Sequence, residues 1–153
     1  MKKQKRLFIA QFDKRLEALL PASRAGIPEG GWLRSMRHGL GFSLEQLAKR
    51  LGVSRQHMAQ VEKREAAGTI SLNSLREVAH TLDMDLYYAL VPKGGSLRAL
   101  IERRAEQLAR EIVMRTHQTM KLEGQAVSEA RLKEAIEEQA ADLRRDIPKQ
   151  LWD

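Results

Sequence analysis

Arg55, Gln56 and Gln60 lie within six residues of one another, with His57 between them and Lys63 and Arg64 close behind. An Arg and a Gln can each make paired hydrogen bonds to the edge of a base, and Lys and Arg neutralise phosphates. Such chemistry needs a stiff rod with these groups on one side. Met58 and Val61 meet that need at helical spacing: with both turned inward, Arg55, Gln56, Ala59, Gln60, Lys63 and Arg64 face out. A second group is smaller: Thr119, then Glu123 four residues on, then Gly124. A carboxylate matches a guanidinium in two parallel hydrogen bonds and excludes a phosphate from the same place.

The elements that must position the first group are short. Leu44, Leu47, Ala48 and Leu51 fall at i, i+3, i+4 and i+7, one face of a helix capped by Ser43. Gly52 permits the left-handed turn that ends it, Val53 plugs the corner, and Ser54 caps the next helix. Residues 43–65 therefore read as a helix-turn-helix whose second helix is the one expected in a major groove. The plain alternative is a surface helical hairpin with solvated charges.

The run Gln46-Leu-Ala-x-x-Leu-Gly-Val-Ser54, with inward Met58 and Val61 followed by Glu62, resembles the helix-turn-helix of the Cro/C1-type phage repressors. The likeness covers Gly31 to Leu82. It implies that Arg55, Gln56 and Gln60 read bases, that Gln46 and Lys63 or Arg64 lie nearer the backbone, and that Ser54 and His57 belong to the same DNA contact. Lys63-Arg64-Glu65 stands where that family has Glu, a polar residue and Gly, which leaves the following loop open.

Around this domain the pattern changes. Leu7, Phe8, Phe12, Leu16, Leu19 and Leu20 form an apolar stripe predicting an N-terminal helix over 1–20. Its basic start, Lys2 to Arg6, reads either as a solvated tail or as an arm along DNA. Residues 21–30, rich in Pro and Gly, read as a linker. Trp32, Leu33 and Met36 open the domain's first helix, with Arg34, Arg37 and His38 outside, and Ser71 caps a closing helix with Leu72, Leu75, Val78, Ala79 and Leu82. Residues 84–92, around Leu-Tyr-Tyr-Ala-Leu-Val91, favour a strand. A lone strand needs a partner, so either two copies pair here across a two-fold axis or the segment continues as helix. Paired copies would set two recognition helices roughly 34 Å apart on a palindromic operator.

Residues 96–153 form a helical arm. One stripe holds Leu97, Leu100, Ile101, Ala105, Leu108, Ile112 and Val113; another holds Leu132, Ile136 and Leu143, with Gly124 to Val127 between the helices. Charge separates this arm from the rest: residues 1–95 carry 16 basic and 9 acidic side chains, residues 96–153 carry 11 of each. The arm is expected to hold a protein and the first part a polyanion. Thr119-Met-Lys-Leu-Glu123-Gly124 resembles the inhibitory motif of antitoxins that silence Fic-domain AMP-transferases. The resemblance implies that Glu123 pairs with an Arg that otherwise holds the γ-phosphate of ATP, with Thr119 and Gly124 supporting the docking. The bare alternative is a helix C-terminus, where glycine is common. The whole layout, from Trp32-Leu-Arg to Leu122-Glu-Gly-Gln125 and Pro148-Lys-Gln-Leu-Trp152, is similar to the proteins called mobile mystery protein A, which are associated with Fic-domain partners.

The four histidines are scattered, no cysteine is present, and no nucleophile elbow or phosphate-binding glycine loop appears. No enzyme, metal or cofactor is expected. The apolar run after the basic start is too short for a signal peptide, and no long apolar stretch follows, so a cytoplasmic protein with no membrane role is expected. The expectation is thus a mainly all-α chain: a five-helix repressor-like domain at 31–82, an N-terminal helix, one dimerising strand and a C-terminal arm. Its expected function is that of an antitoxin combining Fic inhibition with autorepression of its own operon on double-stranded DNA. The alternative is a dimeric phage or mobile-element regulator with no toxin partner.

Overall fold

Five helices begin at a serine whose hydroxyl accepts a backbone N–H three residues on. Ser43 accepts from Gln46 (3.1 Å), Ser54 from His57 (3.0 Å), Ser71 from Ser74 (3.1 Å), Ser96 from Ala99 (3.0 Å) and Ser128 from Arg131 (3.3 Å). Each cap satisfies one of the donors that a helix start leaves unpaired, so these boundaries are set locally. The computed structural model describes residues 2–124 and 127–153. Its order is α1 Lys2–Glu17, α2 Leu20–Ala25, α3 Trp32–Gly39, α4 Leu44–Leu51, α5 Arg55–Ala67, α6 Leu72–Thr81, α7 Leu97–Leu122, α8 Glu129–Asp146 and a 3-10 turn Lys149–Trp152. Met1, at the start of the expected N-terminal helix, and Gln125 and Ala126, within the expected interhelical break, lie outside the described residues.

The chain divides into two units, Arg24–Ala89 and the pair Met1–Ser23 with Leu90–Asp153. In the first, α3 to α6 enclose Leu33, Leu47, Ala48, Met58, Val61, Val78 and Leu82, with Phe42, Leu51, Val53 and Leu75 packed around them. Four helices occupy residues 31–82, where five were expected. Helix α6 ends at Thr81 with Leu82 as its C-cap, and Asp83, at φ 58°, takes the chain out in the left-handed conformation.

The second unit is built on small residues. Ala105 and Ala109 of α7 and Ala140 of α8 are fully buried with Leu143, Ile147 and Leu151. Alanines at a helix contact let the two axes approach closely, so α7 and α8 form a tight hairpin. The Arg104 guanidinium donates to the carbonyls of Leu151 (2.6 Å) and Asp153 (2.7 Å), tying the 3-10 turn to α7. Helix α1 packs on this hairpin through Ile9. Its start is not a free tail: Lys2 pairs with Asp146 (2.8 Å) and Lys5 donates to the Ile147 carbonyl (3.3 Å). Asp13 accepts from the N–H groups of Leu97 (2.6 Å) and Arg98 (3.1 Å), closing the α7 N-terminus with a carboxylate.

Three expectations are corrected. The N-terminal helix ends at Glu17 rather than at residue 20, and α2 occupies half of the expected linker at 21–30. Pro21 sits in the first turn of α2, where its missing N–H removes no intrahelical bond. Within the apolar stripe Leu16 is buried, but Leu7 and Phe8 are 58% and 60% exposed, Phe8 stacking on Phe12 at 5.7 Å. Residues 84–92 contain no strand in the single chain, and none occurs among the described residues. A strand exists only through its ladder, and among the described residues no segment is paired with residues 85–91 to supply one. No described helix is long and apolar enough to cross a membrane.

Candidate nucleic-acid interface

The turn between α4 and α5 is held by backbone geometry. Gly52 adopts φ 72°, its N–H donates to the Lys49 carbonyl (3.2 Å), and Val53 N–H returns to the Ala48 carbonyl (3.0 Å). A side chain at Gly52 would meet no neighbour, so what glycine supplies there is the left-handed conformation itself. At the start of α4 the capping is reciprocal: Ser43 accepts from Gln46 N–H, and the Gln46 side-chain oxygen accepts from Ser43 N–H (2.8 Å). Gln46 thus spends its acceptor on the cap, which leaves its amide donors unused by it. Beside it, the Arg50 guanidinium lies 4.6 Å above the Phe42 ring.

Helix α5 presents Arg55, Gln56, His57, Gln60, Lys63 and Arg64 exposed, with Ser54 at its cap. Met58 and Val61 are buried, and Ala59, expected outside, is half-buried. The helix also carries two glutamates, which on the outer face would repel phosphates. Both are turned away. Glu62 is buried and receives Arg37 in a two-pronged ion pair, Nη2 to Oε2 at 3.1 Å and Nε to Oε1, while Arg37 Nη1 donates to the Phe42 carbonyl (3.3 Å). Glu65 Oε1 accepts from the Trp32 N–H (2.8 Å), capping α3, whose own start has no side-chain cap. The exposed face of α5 is left with Arg55, Lys63 and Arg64 and no carboxylate.

These inward partners correct the sequence reading at Arg37 and complete it after Lys63-Arg64-Glu65. Arg37, expected on the outside, is largely buried and pins α3 to α5. The sequence offers no local sign of this, since the two residues stand 25 apart. Past Lys63-Arg64-Glu65, where the resemblance left the following loop undetermined, α5 runs on to Ala67 and stops at Gly68, φ 75°. The continuation brings Glu65 against Gly31, where any β-carbon would lie 1.7 Å from the Glu65 carboxylate. Gly31 is thereby explained as room for that cap, a meaning hidden until the two segments meet.

The second candidate group belongs to the other unit, at the end of α7. Thr119 is exposed and its hydroxyl donates back to the Arg115 carbonyl (3.1 Å), while Glu123 forms the C-cap and Gly124 turns the chain at φ 77°. Leu122 between them is 89% exposed. The structure therefore brings the α5 residues together on one face and places Thr119, Glu123 and Gly124 in the other unit. Among the described residues no cluster of His, Asp and Glu is placed to hold a metal.

Neither the curated proteins nor the solved structures contain a match to this chain. Residues 33–88, which span α3 to α6 and run into the extended segment, match the family model described as Helix-turn-helix; this part of the chain is a helix-turn-helix domain.

Proposed function

We propose that the chain is a DNA-binding transcriptional regulator in which α5 enters the major groove. Arg55, Gln56 and Gln60 read base edges there, with His57 beside them, while Gln46, Ser54, Lys63 and Arg64 hold phosphates. The observation that carries this reading is the clearing of carboxylates from the outer face of α5 by Arg37 and the α3 N-terminus. Two copies pair through residues 85–91, where Tyr87, Tyr88 and Leu90 are 78%, 63% and 90% exposed, and a palindromic operator follows from that symmetry. Selection from a random duplex library with the full chain tests it. The expected result is an enriched inverted repeat with half-sites about one helical turn apart; a library that stays random after several rounds defeats sequence-specific reading.

A second activity is favoured by the end of α7. Glu123 is a carboxylate at a helix C-terminus, where the helix dipole opposes negative charge, so its own helix gives no reason for it. An Arg of a Fic-domain AMP-transferase does, and the exposed Leu122 beside it supplies an apolar contact. In this reading the chain is an antitoxin that holds such an enzyme inactive and represses its own operon. Glu123→Gly is expected to abolish suppression of a co-expressed Fic-domain enzyme with operator binding unchanged. Undiminished suppression by the variant would make the Thr119–Gly124 motif a coincidence, and no suppression by the unaltered chain would leave a dimeric regulator with no toxin partner, whose C-terminal helices serve only to dimerise.

A further inference from the structure

Of the net charge of +7, the helix-turn-helix unit holds the smaller share. Residues 24–89 carry nine basic and seven acidic side chains, while the other unit carries eighteen and thirteen. The excess comes from α1, which has six basic residues, Lys2, Lys3, Lys5, Arg6, Lys14 and Arg15, against Asp13 and Glu17. Lys2 and Lys5 are spent on holding α1 to the end of α8. Lys3, Arg6 and Lys14 stand at i, i+3 and i+11, one stripe of the helix, all exposed. Among the described residues no ion pair engages them. Arg6 and Lys14 border an open groove of about 740 Å³ between α1, α7 and α8, which Arg98, Arg144 and Arg145 also line. Of its three carboxylates, Asp13 is occupied by two backbone N–H groups, and of its five cations Arg144 and Arg145 are paired with Glu137, Asp142 and Asp146, which leaves Glu17 and Glu102 against Arg6, Lys14 and Arg98.

We infer that this face of α1 is a second DNA-contact surface, one that binds the phosphodiester backbone of duplex DNA without regard to sequence. A row of exposed cations without partners on a helix fixed at both ends loses little side-chain freedom per phosphate engaged and releases counterions from the duplex. Cations on this helix surface engage phosphates rather than base edges, so the contact is electrostatic. The inference rests on the DNA-binding reading of the chain but not on α5.

The test is the salt dependence of binding to a duplex of scrambled sequence, with the full chain. The triple variant Lys3→Ala/Arg6→Ala/Lys14→Ala is expected to bind about tenfold or more weakly at 50 mM salt, with a log–log salt slope shallower by between about 2 and 3. Lys3→Arg/Arg6→Lys/Lys14→Arg keeps the charges and is expected to keep the wild-type slope. Arg55→Ala/Gln56→Ala, at the proposed reading face, is expected to lose operator preference while retaining most of the binding to scrambled duplex. An unchanged slope in the alanine variant overturns the inference and leaves the regulator reading standing. So does equal loss in the charge-conserving variant, because the effect would then not be one of charge. Retained duplex binding together with lost binding to an acidic protein would assign the stripe to a protein partner and also overturn it.

Discussion

The two units solve the same problem, burying helices, with opposite means. Arg24–Ala89 closes around large side chains, Leu47 and Met58 being fully buried, and keeps one ion pair inside it. The unit formed by the two chain ends closes around Ala105, Ala109 and Ala140 and keeps its ion pairs outside, with Lys2, Asp146, Arg145, Asp142 and Glu137 all partly or fully in water. A bulky core around a buried charge fixes one geometry, as the proposed reading of bases by α5 requires. An alanine seam between long helices leaves more surface in view, as suits a scaffold for contacts on its outside.

If that contrast is right, single changes divide by unit. Arg37→Ala strands the Glu62 carboxylate in the interior and is expected to cost about 3–5 kcal/mol in urea unfolding. The matching change in the other unit, Arg144→Ala opposite the exposed Glu137, is expected to cost under about 1 kcal/mol. Equal losses would erase the distinction between inside and outside pairs. Ala109→Leu forces a large side chain into the α7–α8 seam and is expected to cost about 1–3 kcal/mol. Amide exchange should show the loss in α7 and α8 with protection of α4 and α5 unchanged.

The smallest effect concerns acid. Hydrogen bonds from Lys2 and Arg145 hold the Asp146 carboxyl below its ordinary value, although the group is open to solvent. A carboxyl whose folded value is lowered stabilises the fold at neutral pH and loses that contribution as pH falls through the folded value. Asp146→Asn should therefore melt slightly below the wild type at pH 7. The gap in Tm should close as the pH falls below the carboxylate range, and a gap that persists there would assign the effect to packing.

Legibility followed the range of the interactions. The caps at Ser43, Ser54, Ser71 and Ser128, and the turn at Gly52, involve neighbours within a few residues and were readable from the chain. So was the apolar side of α5, because Met58 and Val61 set its phase. The roles of Arg37, Glu65 and Gly31 depend on segments about 25 to 35 residues apart, and nothing local distinguishes a buried Arg from an exposed one. The basic start was harder still: Lys2 finds Asp146 across 144 residues, and a division of charge along the chain assigned α1 to the wrong neighbours. The segment at 84–92 misled for a different reason. Its residue types favour a strand, but residue preference cannot supply the second strand that makes a ladder.

The central claim is that α5 reads sequence while charge elsewhere supplies affinity. The most direct measurement is the ratio of affinities for the selected operator and for a scrambled duplex at one salt concentration, in wild type and in Arg55→Ala/Gln56→Ala. Each paired contact to a base is worth about 1–3 kcal/mol, so the ratio should fall by roughly a hundredfold or more while scrambled-duplex affinity changes little. A ratio that survives the double substitution would contradict α5 as the reading helix.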